Sequence, residues 1–177
     1  MYRKSGAGPG ADLRLRSPPV KAARITAGQA FRGVSVKLVK HLLDRKGRQI
    51  ISVKPNDTVL EAIRVMAEKN IGAVVVMQDN QLCGIMSERD YARKVIVKGR
   101  ASDETSVADI MTSEVTTTCD NETVNNCMEM MTEKKVRHLP VVDDGRVVGM
   151  ISIGDLVEAI IADQQEEIQQ LESYISG

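Results

Sequence analysis

The sequence predicts an α+β fold with α/β-like alternation, made of two pseudo-symmetric β-α-β-β-α repeats packed through their sheets. Three observations predict it. The chain repeats itself at an offset of 65 residues, and both copies carry strand-like and helix-like apolar runs in the same order. Hydrophobic residues make up 42% of the 177 residues, which is enough for a buried core. Because one copy of about 60 residues has a thin core, two copies are expected to pack face to face.

The repeat is clearest in two phrases, GIMSERDY at 84–91 and GMISIGDL at 149–156. Glycine, two apolar residues, serine and aspartate occupy the same places in both. Ahead of them, VKLVK at 36–40 matches VADIM at 107–111 at an offset of 71. The first copy therefore holds about six extra residues, which we place in the polar stretch 44–49.

Each copy is predicted to contain a short helix, a short strand, an amphipathic helix, two hairpin strands and a last helix. In the first copy these are helix 36–43, strand 50–54, helix 58–69, a strand pair around Asp79-Asn80 and helix 88–98. In the second copy they are helix 107–111, strand 115–119, helix 123–135, a strand pair around Asp144-Gly145 and helix 153–175.

Local signals support these elements. Val59, Ile63 and Met66 fall at helical spacing, and the pattern Thr58-x-x-Glu61 is a capping box that starts their helix. An Asp-Gly pair between two apolar runs, as in the second copy, is a strong hairpin signal.

Composition excludes several classes of protein. Aromatic residues are 2% of the chain, which disfavours single-stranded nucleic acid binding by base stacking. Three cysteines without a C-x-x-C pair and two histidines indicate neither a disulfide framework nor a zinc site. No apolar run reaches the length of a membrane span. We therefore expect no nucleic acid, membrane or metal partner.

Charge and composition divide the chain. Residues 1–34 carry seven basic residues and one acidic residue, whereas the rest carries 17 basic and 23 acidic residues. We predict a disordered basic N-terminal arm at 1–34, repeats at 35–100 and 101–163, and a C-terminal helix extension at 164–177. An Arg-rich, acid-poor start resembles an organellar transit peptide, although its glycines and prolines oppose a helix. The prediction is a cytoplasmic protein, with an organelle matrix as the alternative; a wrongly chosen start codon is a third explanation of the arm.

Three stretches resemble a tandem cystathionine-β-synthase (CBS) domain pair, also called a Bateman module. They are IGAVVVMQDNQLCGIMSERDY, VADIMT and RHLPVVDDGRVVGMISIGDL, and the resemblance covers about residues 34–163. It implies two units around a pseudo-twofold axis, with two clefts between them. It also implies an adenosine-containing ligand (AMP, ADP, ATP, NAD(H) or S-adenosylmethionine) and pairing of two copies into a flat disc.

The repeated Ser-x-x-Asp pattern is the candidate binding chemistry. Ser87 with Asp90, and Ser152 with Asp155, place a hydroxyl and a carboxylate at a helix start, where free N–H groups attract phosphate. A carboxylate also accepts hydrogen bonds from a ribose diol. The resemblance implies that the aspartates hold ribose and that the serines lie near ribose or phosphate. The alternative is a capping box, worth about 1 kcal/mol, and both roles can coexist.

Basic residues complete the predicted ligand-binding set. The resemblance implies that Arg137 and His138 face phosphates across a cleft, whereas Gly72 stands at the matching place in the first repeat. Arg89 and Arg93 are four residues apart and therefore share a helix face. The alternatives are a strand-edge histidine without a ligand and a solvated arginine surface.

The sequence predicts a non-enzymatic regulatory protein that binds an adenine nucleotide between its repeats, requires no cofactor and acts on an unidentified partner protein. It contains no G-x-S-x-G elbow, P-loop or G-x-G-x-x-G motif, and nothing orients Cys119 and His138 as nucleophile and base. The alternatives are a ligand-free adaptor that binds through its C-terminal helix and a small nucleotide hydrolase or transferase. An apolar stripe in that helix, Ile168, Leu171 and Ile175, predicts a homodimer.

Overall fold

The computed structural model describes residues 37–176. Its helices and strands are α1 Val39–Lys46, β1 Ser52–Val53, α2 Val59–Lys69, β2 Ala73–Gln78, β3 Gln81–Ser87, α3 Glu88–Tyr91, α4 Val124–Lys134, β4 His138–Asp143, β5 Arg146–Ser152 and α5 Ile153–Ser176. A π-helical segment, Ala92–Ile96, continues α3, and a 3-10 turn lies at Val107–Asp109. The predicted arm at 1–34 and the first residue of predicted helix 36–43 lie outside the described residues.

Two small sheets confirm the predicted α+β class and its internal symmetry. In the first sheet β1 pairs parallel to β2, and β2 pairs antiparallel to β3. In the second sheet β4 pairs antiparallel to β5. Both hairpins shift register at matching places, after Val76 and after Val141. The two repeats therefore share even a local irregularity of their strands.

The predicted hairpin turns are confirmed by their backbone. Asp79 and Asn80 have φ values of 51° and 62°, and Asp144 and Gly145 have φ values of 46° and 74°. Two successive residues with positive φ form the turn whose twist matches antiparallel strands, and Asn, Asp and Gly tolerate that conformation. The turn residues thus set the pairing of both hairpins.

The predicted amphipathic helices are also confirmed. The Thr58 hydroxyl accepts from the backbone N–H of Glu61 at 3.2 Å, and the Glu61 carboxylate accepts from the N–H of Thr58 at 2.9 Å. These bonds hold the pKa of Glu61 below its ordinary value. In α4 the Thr123 hydroxyl accepts from the N–H of Asn126. Both helices end at a left-handed residue, Asn70 and Lys135, three residues from the strand that follows each.

Strand 115–119 was predicted wrongly. Within it the described chain makes a single bridge, in which Thr118 donates to the Pro140 carbonyl and accepts from the N–H of Val142. Val115 and Thr116 instead line a cleft beside the sheet. Because those two residues turn toward the cleft, the segment cannot follow β4 as a regular strand.

Three predicted helices were wrong in extent. Segment 107–111 forms a 3-10 turn, because a run this short cannot offset the cost of helix nucleation. Helix 88–98 leaves α-geometry after Tyr91 and becomes π-helical. The first helix begins at Val39 and extends to Lys46, beyond the predicted end at 43. It therefore takes up three residues of the predicted insertion.

The first segment of each repeat packs into the core of the other repeat. Val39, Leu42 and Leu43 of α1 join the core formed by α4, β4, β5 and α5. Val107 and Ile110 join the core formed by β1, α2, β2 and β3. Each core is thus completed by residues that the sequence assigns to the other repeat. The domain boundaries at 100 and 163 stay a prediction.

The repeated glycine of the two phrases makes this exchange possible. A Cβ at Gly149 would lie 2.8 Å from Leu43 Cδ2, and a Cβ at Gly84 would lie 2.6 Å from Met111 Sδ. Separations this short are steric clashes, so any larger residue would push the exchanged segment off its sheet. None of the helices within 37–176 is both long enough and apolar enough to cross a membrane.

Candidate functional site

A cleft of about 430 Å³ opens beside the Ser-x-x-Asp pattern of the first repeat. Pockets for small ligands commonly measure about 300–1,000 Å³, so the cleft has room for a nucleotide-sized molecule. Both repeats contribute to it. Its lining residues are Gly72, Ile85, Ser87, Glu88, Arg89, Asp90, Arg93, Lys94, Thr112, Glu114, Val115, Thr116, Lys135, Val136, Arg137 and His138.

Six of the eight predicted binding residues line this one cleft. They are Ser87, Arg89, Asp90, Arg93, Arg137 and His138. Ser152 and Asp155 do not line it. Residues more than 40 positions apart in sequence therefore converge because the start of β4 lies opposite the end of β3. Their roles in binding stay a prediction.

Ser87 and Asp90 form the capping box that was the alternative to a binding role. Asp90 Oδ2 accepts from the N–H of Ser87 at 3.1 Å and from its hydroxyl at 2.5 Å. The second oxygen, Oδ1, accepts from Lys94 at 2.8 Å. The Asp90 side chain keeps 18% of its surface exposed, toward the cleft. It can therefore cap the helix with one oxygen and offer the other to a ligand.

Lys94 is a cleft residue that the sequence prediction missed. Its ammonium donates to Asp90 Oδ1 at 2.8 Å and to the Ile110 carbonyl at 2.6 Å. The four-residue spacing from Asp90 is a signal that could have found it. Lys135, Glu114, Thr112 and Thr116 were also missed, because only the packing of the second repeat brings them here.

The cleft carries an excess of positive charge. Five of its residues are basic and three are acidic, namely Arg89, Arg93, Lys94, Lys135 and Arg137 against Glu88, Asp90 and Glu114. One guanidinium reaches across it, since Arg89 Nη1 donates to the Lys135 carbonyl at 3.5 Å. Guanidinium groups bind phosphate through paired hydrogen bonds, so this composition favours an anionic ligand.

His138 is a neutral hydrogen-bonding group at one wall of the cleft. Burial lowers the pKa of His138, and the positive charges of Lys46 and Arg137 lower it further, while Asp155 partly opposes them. The ring is therefore uncharged at pH 7. It lies beside Gly72, where an added Cβ would be 3.5 Å from His138 Nε2. Cys119, the nucleophile considered with His138, does not line this cleft.

The second Ser-x-x-Asp pattern has different surroundings. Asp155 Oδ2 accepts from the N–H and the hydroxyl of Ser152, at 2.6 and 2.7 Å, and from Lys46 at 2.5 Å. Burial alone would raise the pKa of Asp155, but the hydrogen bonds from Lys46 and Ser152 hold it below its ordinary value. Lys46 belongs to α1, so a residue of the other repeat neutralises this carboxylate.

Comparison with protein families gives one match in each repeat. The family model described as the CBS domain matches residues 39–96 and 107–162. A CBS domain-containing protein of Arabidopsis thaliana, CBSX3, named as mitochondrial, is 44% identical over 128 residues. That alignment spans 69% of this chain and 62% of the relative.

Solved structures agree with the family match. The crystal structure of the CBS domain protein NE2398 is 46% identical, has a TM-score of 0.69 and is matched over 72% of this chain and 99% of its own. Two more distant structures, each 26% identical, contain ligands. A Pyrobaculum aerophilum CBS domain protein, TM-score 0.61, is complexed with AMP; 67% of this chain and 89% of that chain are covered. The CBS domain pair of protein MJ0100, TM-score 0.65, holds 5′-methylthioadenosine and S-adenosyl-L-methionine; 72% of this chain and 98% of that chain are covered.

Proposed function

The chain belongs to the CBS-domain family, with two CBS domains in tandem, and from this premise we propose that it is a non-enzymatic sensor of an adenosine-containing ligand. The ligand binds in the cleft beside Asp90 and changes how the two repeats pack. An unidentified partner protein responds to that change. A ligand shifts such an equilibrium only by the difference between its affinities for the two packings.

The observation that carries the proposal is the composition of the 430 Å³ cleft. It combines a half-buried carboxylate with an excess of cations, which together match a ribose diol and a phosphate chain. In our proposal Asp90 holds the ribose, and Arg89, Arg93 and Lys94 face the phosphates. AMP and S-adenosyl-L-methionine in two 26%-identical relatives support the adenosine class of ligand.

A thermal-unfolding panel tests the proposal. AMP, ADP, ATP, NAD(H) and S-adenosylmethionine are added separately, with GMP as a control that keeps the ribose phosphate but changes the base. A ligand at one hundred times its dissociation constant should stabilise the fold by about 2.7 kcal/mol. If none of the five raises the unfolding temperature, the ligand-free adaptor is the better description. Chromatography of the nucleotide after incubation separates a sensor, which leaves it intact, from the hydrolase or transferase.

We also propose that the protein forms a homodimer, through a face that carries exposed apolar residues at equivalent places in both repeats. Ile96 is 58% exposed and Ile161, its counterpart 65 residues later, is 49% exposed. Large apolar side chains at matching places give a self-complementary surface, as a twofold contact requires. The predicted stripe is exposed too: Ile168 by 54%, Leu171 by 58% and Ile175 by 83%.

Light scattering at micromolar concentration should give twice the 19.4 kDa monomer mass. The double variant Ile96→Asp/Ile161→Asp should give a monomer, because it places four carboxylates in the contact of two copies. Truncation after Asp163 separates the two surfaces, since a dimer that survives it does not depend on the tail. A monomer mass for the unaltered chain would contradict the proposal.

The compartment stays a prediction, with cytoplasm and organelle matrix as the two alternatives. The mitochondrial name of the Arabidopsis relative supports the organelle. Fusing residues 1–34 to a fluorescent reporter decides between them, since a transit peptide would carry the reporter into the organelle.

A further inference from the structure

We infer that the chain binds one ligand rather than two, because α1 permanently fills the cleft that would be the counterpart of the first. This inference rests on the proposed function and deepens it by assigning binding to the cleft at Asp90 alone. It also gives Asp155 a structural role in place of the ribose-binding role that the sequence predicts.

A small cavity marks where the second cleft would lie. It measures about 70 Å³ and is lined by Lys37, His41, Leu42, Arg45 and Ala159. Three of its lining positions are counterparts of residues of the large cleft. His41 and Arg45 match Thr112 and Thr116 at the offset of 71, and Ala159 matches Lys94 at the offset of 65. The same place in the fold therefore holds about 430 Å³ in one copy and about 70 Å³ in the other.

The difference follows from the conformation of one segment. Residues 112–116 are not helical and run along the wall of the open cleft, whereas their counterparts form α1. A helix with its side chains is about 10 Å wide, so α1 occupies space that the irregular segment leaves free. The polar insertion supplies Lys46, which completes the last turn of this helix.

Two kinds of contact hold α1 in place. Its inner face is buried in the core of the second repeat, where Leu42 is 4% and Leu43 is 0% exposed. Its outer side is joined to α5 by three ion pairs, which are Lys37–Asp163, Arg45–Glu158 and Lys46–Asp155. Moving α1 aside would expose apolar surface and break those pairs. A ligand would therefore have to disrupt the core to enter here.

The two aspartates differ in what a ligand would displace. Lys94 reaches Asp90 from the same helical segment, and its ammonium can turn to a phosphate without any backbone movement. Lys46 reaches Asp155 from α1, 109 residues away in sequence. Release of Asp155 thus requires movement of a helix, whereas release of Asp90 requires rotation of one side chain.

Isothermal titration with AMP and with ATP tests the inference. The unaltered chain should bind one ligand per chain. Asp90→Asn should lose at least tenfold in affinity, the scale of a charge-assisted hydrogen bond, while Asp155→Asn should change affinity less than twofold. Asparagine keeps an acceptor oxygen for the cap, and a thermal melt of each variant establishes that it is folded.

Two ligands per chain, or equal affinity losses in the two variants, would overturn the inference and leave the proposed function intact. Lys46→Met adds a second readout, because it removes the ion pair but not the helix body. It should keep one ligand per chain, and a second bound ligand would overturn the filling role of α1. Absence of heat with AMP, ATP, NAD(H) and S-adenosylmethionine alike would instead remove the proposed function.

Discussion

Replacing Leu43 with alanine is expected to lower the free energy of unfolding by about 2–5 kcal/mol, the usual cost of truncating a fully buried leucine. Leu43 is 0% exposed and lies in the core of the second repeat, although it precedes that repeat by more than fifty residues. Its methyl groups cover Gly149, where no Cβ separates helix from strand. Alanine would leave a cavity between α1 and β5 that the rigid sheet cannot close.

Urea denaturation followed by circular dichroism measures this loss. His41→Ala is the matched control, because His41 is an exposed residue of the same helix and should cost less than about 0.5 kcal/mol. A loss below about 1 kcal/mol for Leu43→Ala would contradict the exchange of α1 into the second repeat. A loss of similar size in both variants would indicate fraying of the helix rather than loss of the core.

The elements that sequence predicts well here are those with local causes. Two successive turn residues such as Asp144 and Gly145 fix a hairpin by their own backbone preferences, and Thr58 with Glu61 fixes a helix start three residues long. Apolar periodicity then tells which face of α2 is buried. No distant residue is needed to make any of these decisions.

The errors have non-local causes. Periodicity indicates that Leu42 and Leu43 are buried, but it does not indicate that their core belongs to the second repeat. Segment 115–119 has strand-like residues, yet the cleft wall claims Val115 and Thr116 before the sheet edge can pair with them. Tertiary packing overrides local propensity in both places.

The candidate site shows the same division. Ser-x-x-Asp is a local pattern, so both copies were found, and their capping geometry is the same in both. What distinguishes the copies is Lys46, which reaches Asp155 across 109 residues. An offset of 71 rather than 65 was the sequence trace of that difference, but its consequence for cleft volume depends on α1 being helical.

The double variant Arg89→Ala/Arg93→Ala is expected to lose about 1–3 kcal/mol of binding free energy for ATP, with adenosine nearly unaffected. Both arginines line the 430 Å³ cleft, and their counterparts in the second repeat are Gly154 and Glu158. Guanidinium groups form paired hydrogen bonds with phosphate oxygens, whereas adenosine has no phosphate to contact. Removing both cations should therefore act on the phosphates and spare the nucleoside.

Paired isothermal titrations of ATP and adenosine measure the two losses under one salt concentration, since screening changes phosphate affinity. The control is Arg64→Ala/Arg146→Ala, which removes the same net charge at positions that do not line the cleft. It should weaken ATP far less than the cleft variant, because long-range attraction between exposed charges is largely screened beyond about 8–10 Å. Equal losses for ATP and adenosine would mean that Arg89 and Arg93 support the π-helical segment rather than the phosphates. Equal ATP losses in the two double variants would mean that net charge, and not the position of the guanidinium groups, attracts the ligand.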